Sequence, residues 1–160
     1  MKQNEMSKYL KFITVGVGIF FLAFIFWFLP TVLKETLLKL GGENTYWGVC
    51  IFIWFTAVPC FFCLIHFWRI CTRIGLDQSF SRENAAALKR MSQYMILDAL
   101  LYGGFLLWFC IVGWADAAAW LSFPILLAIF ISVTLAVLCA VLSYLVHKAS
   151  RMQEDQDLTI

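Results

Sequence analysis

The sequence predicts an all-α integral membrane protein whose helices form a single four-helix bundle. Its 160 residues are 62% hydrophobic and only 14% charged, and the mean hydropathy is +0.84. These values lie far outside the composition of soluble domains. Four runs are apolar on every face and have the roughly 20 residues that a helix needs to cross a hydrocarbon core about 30 Å thick. Membrane β-strands would instead alternate with a period of two, so we predict helices.

The four predicted spans cover residues 12–33, 46–68, 91–114 and 120–146. Lysines precede the first run, as they precede the apolar region of a signal peptide. That run is too long for a signal peptide and no small-x-small cleavage site follows it, so we predict a retained span. Residues 1–160 therefore form one predicted domain, in which residues 150–160 are an acidic cytoplasmic tail.

Basic residues indicate which side of the bundle faces the cytoplasm. The loop after the first span carries only Lys34 and Lys39, and the loop between Trp114 and Trp120 carries none. The other basic residues flank the opposite ends of the spans: Lys2, Lys8, Lys11, Arg69, Arg73, Arg82, Lys89, Arg90, Lys148 and Arg151. Because cytoplasmic loops are enriched in Lys and Arg, we predict that both termini and the middle loop are cytoplasmic.

The middle loop contains signals for the end of one helix and the start of the next. Gly75 is predicted to end the second helix, Ser81 to cap the third, and Glu83 to lie in its first turn, where a carboxylate suits the helix dipole. The sequence AAALKRM then continues into the third span without Gly or Pro. We therefore predict that the third helix extends about two turns into the cytoplasm.

The two outer connections are short. Residues 34–45 contain leucines at helical spacing before Gly41 and Gly42, which predicts either a short helix along the outer surface or a solvated connector. Residues 115–119 are barely a turn, so the third and fourth helices are predicted to be antiparallel neighbours.

Two motifs give the chain a resemblance to a known family. They are Phe80-Ser81-x-Glu83-Asn84 after the second span and the closing segment Gln153-Glu154-Asp155-Gln156-Asp157-Leu158-Thr159-Ile160. With these motifs the whole chain resembles an uncharacterised family of small bacterial four-span membrane proteins, catalogued as a domain of unknown function. The resemblance implies a bacterial inner-membrane location, no established enzymatic activity, and frequent gene adjacency to a small helix-turn-helix regulator of the Cro type.

Asp98 is the only charged residue inside a predicted span. A charge at the bilayer centre costs at least about 2.5 to 3.5 kcal/mol, so its side chain is predicted to turn inward. Tyr94 and Tyr102 share its helix face at i−4 and i+4, and the second helix offers His66 and Arg69 at a similar depth. We predict a buried polar cluster of these five residues in which Asp98 contacts Arg69 or His66. It is either a proton- or ligand-responsive site or a pair that fixes helix register.

The cysteines allow a redox interpretation, although packing is favoured. Cys60 and Cys63 form a C-x-x-C motif like that of thiol oxidoreductases, but the pair falls near the middle of the second span, away from water. Apolar packing of these side chains is therefore the preferred interpretation. Cys50 and Cys110 both lie near the outer face and would pair if their helices adjoin.

No cofactor or metal is predicted. His66 and His147 lie near the inner ends of their helices, as haem-ligating histidines do, but no second motif supports a haem site. The sequence has no convincing His/Cys metal spacing, no phosphate-binding Gly-rich loop and no Ser/His/Asp set.

The acidic tail is the second candidate site, and it suggests a protein partner. Its acidic and apolar residues predict either a frayed end or a docking peptide for a basic regulator: Glu154, Asp155, Asp157, Leu158 and Ile160. Glycines in the first and third spans permit close helix approach within the chain or in a homodimer. No direct binding to nucleic acid is predicted.

Two functions remain open from the sequence. The first is a non-enzymatic, multi-pass inner-membrane protein that acts as a regulatory or sensory partner of a cytosolic transcription regulator. The alternative is a membrane-embedded thiol-redox or small-solute transport activity that uses Cys60 and Cys63 or Asp98.

Overall fold

The computed structural model describes residues 3–76, 80–114 and 118–157, and they are almost entirely helical. Helix α1 covers Gln3–Ala23 and continues through a π-helical turn at Phe24–Phe28 into α2, Leu29–Ile74. Helix α3 covers Arg82–Ile111 and α4 covers Ala119–Asp157. The described ranges contain no β-strand. The all-α prediction is confirmed.

Three helical stretches within the described residues are long and apolar enough to cross a membrane: Glu5–Ile74, Arg82–Ile111 and Ala119–Gln153. Large apolar side chains cover the outside of the molecule; Phe12 is 80% exposed and Ile111 is 84% exposed. A soluble protein rarely exposes so continuous an apolar surface. The surface is that of a protein surrounded by lipid, which confirms the predicted membrane class.

The longest stretch folds back on itself at two glycines inside α2. The backbone leaves helical geometry at Gly41 and Gly42, and Gly42 has a φ of 75°. Side chains on either side of this break then meet in antiparallel order. Ser7 Oγ donates to the Cys71 carbonyl oxygen at 2.7 Å, the rings of Phe21 and Phe61 lie 5.8 Å apart, and those of Phe26 and Trp54 lie 5.5 Å apart.

The predicted glycine break is therefore present, but the residues before it are not a separate surface helix or a solvated connector. Residues 34–40 continue α2, and Leu37 is only 2% exposed in a core with Ile25 and Ile53. Leu33 and Leu40 pack against this core at helical spacing. Burial of these leucines against the folded-back half of α2 explains why they do not lie on the surface.

Helices α3 and α4 are antiparallel neighbours, as the short connection between them predicts. Ser143 Oγ on α4 donates to the Ala85 carbonyl oxygen on α3 at 2.7 Å. Three turns deeper, Ser132 Oγ donates to a carboxylate oxygen of Asp98, also at 2.7 Å. The two helices therefore keep one register along much of their length.

The start of α3 has the predicted capping geometry. Ser81 is extended, with φ −104° and ψ 150°, and its hydroxyl oxygen accepts from the Asn84 backbone N–H at 3.2 Å. Glu83 lies in the first turn and Gly75 ends α2, both as predicted. From Ser81 the helix continues without a break into the apolar segment that contains Asp98.

Candidate functional site

Asp98 is buried between α3 and α4 at 3% exposure, although it is charged in water at neutral pH. One oxygen, Oδ2, accepts the hydrogen bond from Ser132, which is itself only 6% exposed. The other oxygen, Oδ1, is buried and has no hydrogen-bond partner among the described residues. A buried oxygen without a hydrogen-bond partner lowers the stability of the fold by about 1–3 kcal/mol, so this carboxyl group destabilises the bundle.

The structure corrects the predicted contact of Asp98 with Arg69 or His66. Arg69 is exposed on α2, and the Nδ1 atom of His66 lies 2.8 Å from the Phe62 carbonyl oxygen of its own helix. The carboxylate turns instead to Ser132 on α4. The reason is register, because the antiparallel pairing that brings Ser143 to Ala85 also brings Ser132 level with Asp98.

Sequence reasoning missed Ser132, although a signal was present. The short connection predicted antiparallel helices, and a turn centred in residues 115–119 places residue 98 within about one helical turn of residue 132. Ser132 is one of the few polar residues in the fourth apolar run. The prediction matched the negative charge of Asp98 with the basic residues of α2 and so passed over a neutral hydroxyl group on α4.

Tyr102 and Tyr94 both face α2, one turn to either side of Asp98. The Tyr102 hydroxyl oxygen lies 3.1 Å from Thr56 Oγ1, and Thr56 Oγ1 also donates to the Ile53 carbonyl oxygen at 2.9 Å. The Thr56 hydroxyl has a single proton, so Tyr102 serves as the donor when that proton goes to Ile53. The Tyr94 ring stacks on Phe62, with ring centroids 5.5 Å apart.

The polar side chains around Asp98, here called the polar layer, also include His66. It contacts the layer through Tyr94 and not through Asp98. The two rings lie 5.7 Å apart, and His66 is 8% exposed. A carbonyl oxygen only accepts hydrogen bonds, so the contact with Phe62 assigns a proton to Nδ1. Nε2 is buried without a partner among the described residues. The polar layer therefore has two buried atoms with unused hydrogen-bonding capacity, Asp98 Oδ1 and His66 Nε2.

Every cysteine of the chain is a free thiol in this structure. Cys60 and Cys63 are half-buried, and Cys63 Sγ lies 3.6 Å from the Met91 carbonyl oxygen, which makes the thiol a weak donor to α3. Cys50 is buried and Cys110 is exposed, and neither is bonded to the other. Neither Cys60 with Cys63 nor Cys50 with Cys110, the two pairings that the sequence left open, is a disulfide here.

A second polar cluster lies where α2 ends and α3 begins. Arg73 Nη2 lies 2.6 Å from a carboxylate oxygen of Glu83, and Arg73 Nη1 donates to Asn84 Oδ1 at 3.4 Å. Asn84 is 1% exposed. Arg73 lies at the end of α2, and both contacts join it to the first turn of α3.

The acidic segment after residue 150 begins as part of a long helix. Helix α4 continues through Asp157, so the backbone of residues 150–157 is helical. The sequence there contains no Gly or Pro and is rich in helix-forming residues. The positions of Leu158 and Ile160, and of the side chains of Glu154, Asp155 and Asp157, lie outside the described residues.

The described residues do not bring together three or more His, Cys, Asp or Glu side chains as metal ligands. His66 lies beside Tyr94, whereas His147 lines a groove with Arg82 and Tyr144, so the two histidines have different surroundings. What the polar layer can do chemically is hold or release one proton, or accept a hydrogen bond, at Asp98.

Comparison with known proteins identifies the family of the chain and agrees with its membrane class. The family described as "Protein of unknown function (DUF2975)" matches residues 3–160, and the chain belongs to this family. The uncharacterized membrane protein YoaS of Bacillus subtilis (strain 168) is 28% identical over 160 residues, which cover 98% of this chain and 99% of YoaS. No solved structure matches the chain. The family resemblance is confirmed, while the neighbouring regulator gene stays a prediction.

Proposed function

We propose that this member of the DUF2975 family is a four-span bacterial inner-membrane protein that acts by binding a cytosolic transcription regulator. In this proposal the chain is not an enzyme. Its cytoplasmic surface consists of the start of α1, the connection between α2 and α3, and the end of α4.

Four crossings are supported by the length and the break of the first apolar stretch. As a straight helix, the 70 residues of Glu5–Ile74 would be about 105 Å long, more than three times the hydrocarbon thickness. The break at Gly41 and Gly42 and the contact of Ser7 with Cys71 divide the stretch into two arms. Each arm has enough residues for one crossing.

Cytoplasmic termini are supported by the way basic residues gather at one end of the bundle. Lys11 lies over the Trp68 ring at 5.6 Å, which brings the start of α1 to the end of α2. Arg73 pairs with Glu83 at the same end, and Arg82 shares a groove with His147. The opposite end carries Lys34 and Lys39. Such asymmetry favours the basic end as cytoplasmic.

Reporter fusions test the crossings and the orientation. Alkaline phosphatase, active only outside the cytoplasm, should be active when fused after Glu43 and inactive when fused after Ile160. A fluorescent protein that matures only in the cytoplasm should give the reverse pattern. The same compartment for both fusion points would overturn the four-span arrangement.

The observation that carries the partner role is the length of α4. It extends eleven residues past the predicted end of the span at residue 146, or roughly 16 Å, and ends at Asp157. A helix presents its acidic residues with less conformational freedom than a loose tail, so less entropy is lost on binding. A small basic helix-turn-helix regulator, which the family resemblance implies, has the complementary charge.

The partner role is tested by recruitment of that regulator to the membrane. The regulator encoded beside this gene is fused to a fluorescent protein and expressed with the full chain. Changing Glu154, Asp155 and Asp157 to Lys should release it from the membrane, because attraction becomes repulsion. Changing Glu35 and Glu43 to Lys at the opposite end is the matched control and should leave it bound. Equal recruitment by both variants would exclude the tail as the docking site.

One observation favours a second candidate, a transport or redox activity within the membrane. Asp98 Oδ1 is buried without a partner in the described chain, and Asp98 is close enough to Cys60 and Tyr102 to interact with them electrostatically. Unpartnered polar groups inside a bundle often mark a pathway or a binding position. The Asp98→Asn variant separates the two candidate functions. Loss of the protein's effect on cells while the regulator is still recruited to the membrane would favour this second function.

A further inference from the structure

A continuous open groove runs between α3 and α4, on a different face of α3 from Ala87 and Met91, which pack against α2. One part of the groove, about 590 Å³, lies at the basic end of the bundle and includes Lys89 and His147. The other part, about 400 Å³, lies deeper and has apolar walls. Ser92 and Ala140 line both parts, so the two parts adjoin along the helix pair.

Small residues on the floor keep this groove open. Ala85 and Ala136 are 4% and 3% exposed, and Ser92 is 6% exposed. The hydrogen bond from Ser143 to the Ala85 carbonyl oxygen holds the two helices together at the basic end. The helices therefore touch through short side chains, while longer ones such as Ile96 and Val137 form the walls.

The basic part offers hydrogen-bond donors and positive charge. Lys89 and Arg82 are cations there, and Gln93, Tyr144 and His147 add polar groups that can donate. None of the described residues that line this part is a carboxylate. Glu83, the acidic residue in the first turn of α3, pairs with Arg73. The chemistry of the groove is that of a site for an anionic, oxygen-rich group.

We propose that this groove binds one anionic phospholipid. Its phosphodiester lies in the basic part beside Lys89 and His147, and an acyl chain follows the apolar part between Leu100 and Val133. The order of the two parts matches the order of headgroup and acyl chain at a membrane boundary. A free phosphate would leave the apolar part uncovered, and a lipid without net charge would not use the cations.

The depth of Lys89 agrees with this assignment. Lys89 is two helical turns, about 10 Å, further along α3 than Arg82. A lysine at that depth lays its methylene stem along apolar surface and extends its ammonium group toward the headgroups. The proposal requires only that the bundle crosses a membrane, and it is independent of the regulator.

The test uses the full chain purified in an uncharged detergent, with native mass spectrometry of bound dioleoyl-phosphatidylglycerol and dioleoyl-phosphatidylcholine. The wild-type chain should retain the anionic lipid in preference to the zwitterionic one. Lys89→Gln should weaken that binding about fivefold, because one cation near an anionic lipid is worth about that factor. Ala140→Phe should weaken it to a similar extent without a change of charge, because the ring fills the apolar part.

Lys34→Gln with Lys39→Gln is the matched control, since it removes two cations from the opposite end of the bundle. Retention of the lipid by this control and its loss in both groove variants supports the site. Equal binding by wild type and Lys89→Gln would overturn it. Displacement of the lipid by soluble glycerol phosphate at equal concentration would also overturn it, because the acyl chain would then contribute nothing.

Discussion

The sharpest test of the polar layer is Ser132→Ala. This change removes one hydroxyl group from α4 and leaves the shape of the helix unaltered. Asp98 then keeps its buried position but loses the donor that lies 2.7 Å from Oδ2. Because Oδ1 already has no partner among the described residues, the whole carboxyl group is left without a donor in that part of the chain.

The size of the effect follows from the burial of both partners. Asp98 is 3% exposed and Ser132 is 6% exposed, so water does not replace the lost donor easily. Hydrogen bonds to charged groups contribute about 1.5 to 3 kcal/mol in soluble proteins. Interhelical hydrogen bonds in membranes average about 0.6 and reach about 1.7 kcal/mol. We therefore expect Ser132→Ala to lower the free energy of unfolding by about 1.5 kcal/mol.

A double-mutant cycle with Asp98→Ala isolates the bond between the two side chains. In the Asp98→Ala background, Ser132→Ala should cost less than about 0.5 kcal/mol, since Ser132 can then donate to its own helix backbone. The coupling should be about 1 kcal/mol or more. Unfolding is followed by tryptophan fluorescence during denaturing-detergent titration of the reconstituted protein.

Thr134→Val is the control for loss of a hydroxyl from the same helix. Thr134 is exposed and its hydroxyl donates to the Phe130 carbonyl oxygen within α4, so the change should cost less than about 0.5 kcal/mol. If Ser132→Ala has the same cost with and without Asp98, the interhelical bond contributes nothing. The assignment of Ser132 as the stabilising partner would then be wrong.

Three further predictions concern the frame around this layer. Gly42→Ala should lower the free energy of unfolding by about 1–3 kcal/mol, because Gly42 has φ 75° and ψ −166°, whereas Gly48→Ala, whose added Cβ meets no atom within 4 Å, should be neutral or stabilising in the same titration. Ser81→Ala should cost about 1 kcal/mol through loss of the α3 cap, and Ser81→Asp should restore most of it; equal stability of the two would contradict the capping role. With the native cysteines replaced by alanine, Ser7→Cys with Gly75→Cys should form a disulfide on mild oxidation. A Cβ at Gly75 would lie 3.0 Å from that of Ser7, so a small outward shift reaches the roughly 3.5–4.5 Å of a disulfide. A gel that shows no cross-link would contradict the packing of α1 against the end of α2.

The site was harder to predict than the helices around it. Burial of Asp98 followed from the cost of a charge in lipid, and this reasoning needed no partner. The choice of partner needed the relative rotation of three helices, and the sequence reasoning assumed that α3 turned its carboxylate toward the basic residues of α2. In the structure α2 meets Tyr94 and Tyr102, while the intervening Asp98 faces α4.

The sequence by itself determined the membrane class, the all-helical secondary structure, the Ser81 cap and the glycine break. Each of these depends on local composition or on backbone preferences that act over a few residues. The tertiary structure alone decided that residues 34–40 belong to the core, that Arg73 joins the start of α3, and that Ser132 bonds Asp98. Side-chain partners between helices depend on rotation and register, and apolar runs that are similar on every face carry no periodic signal that fixes either one.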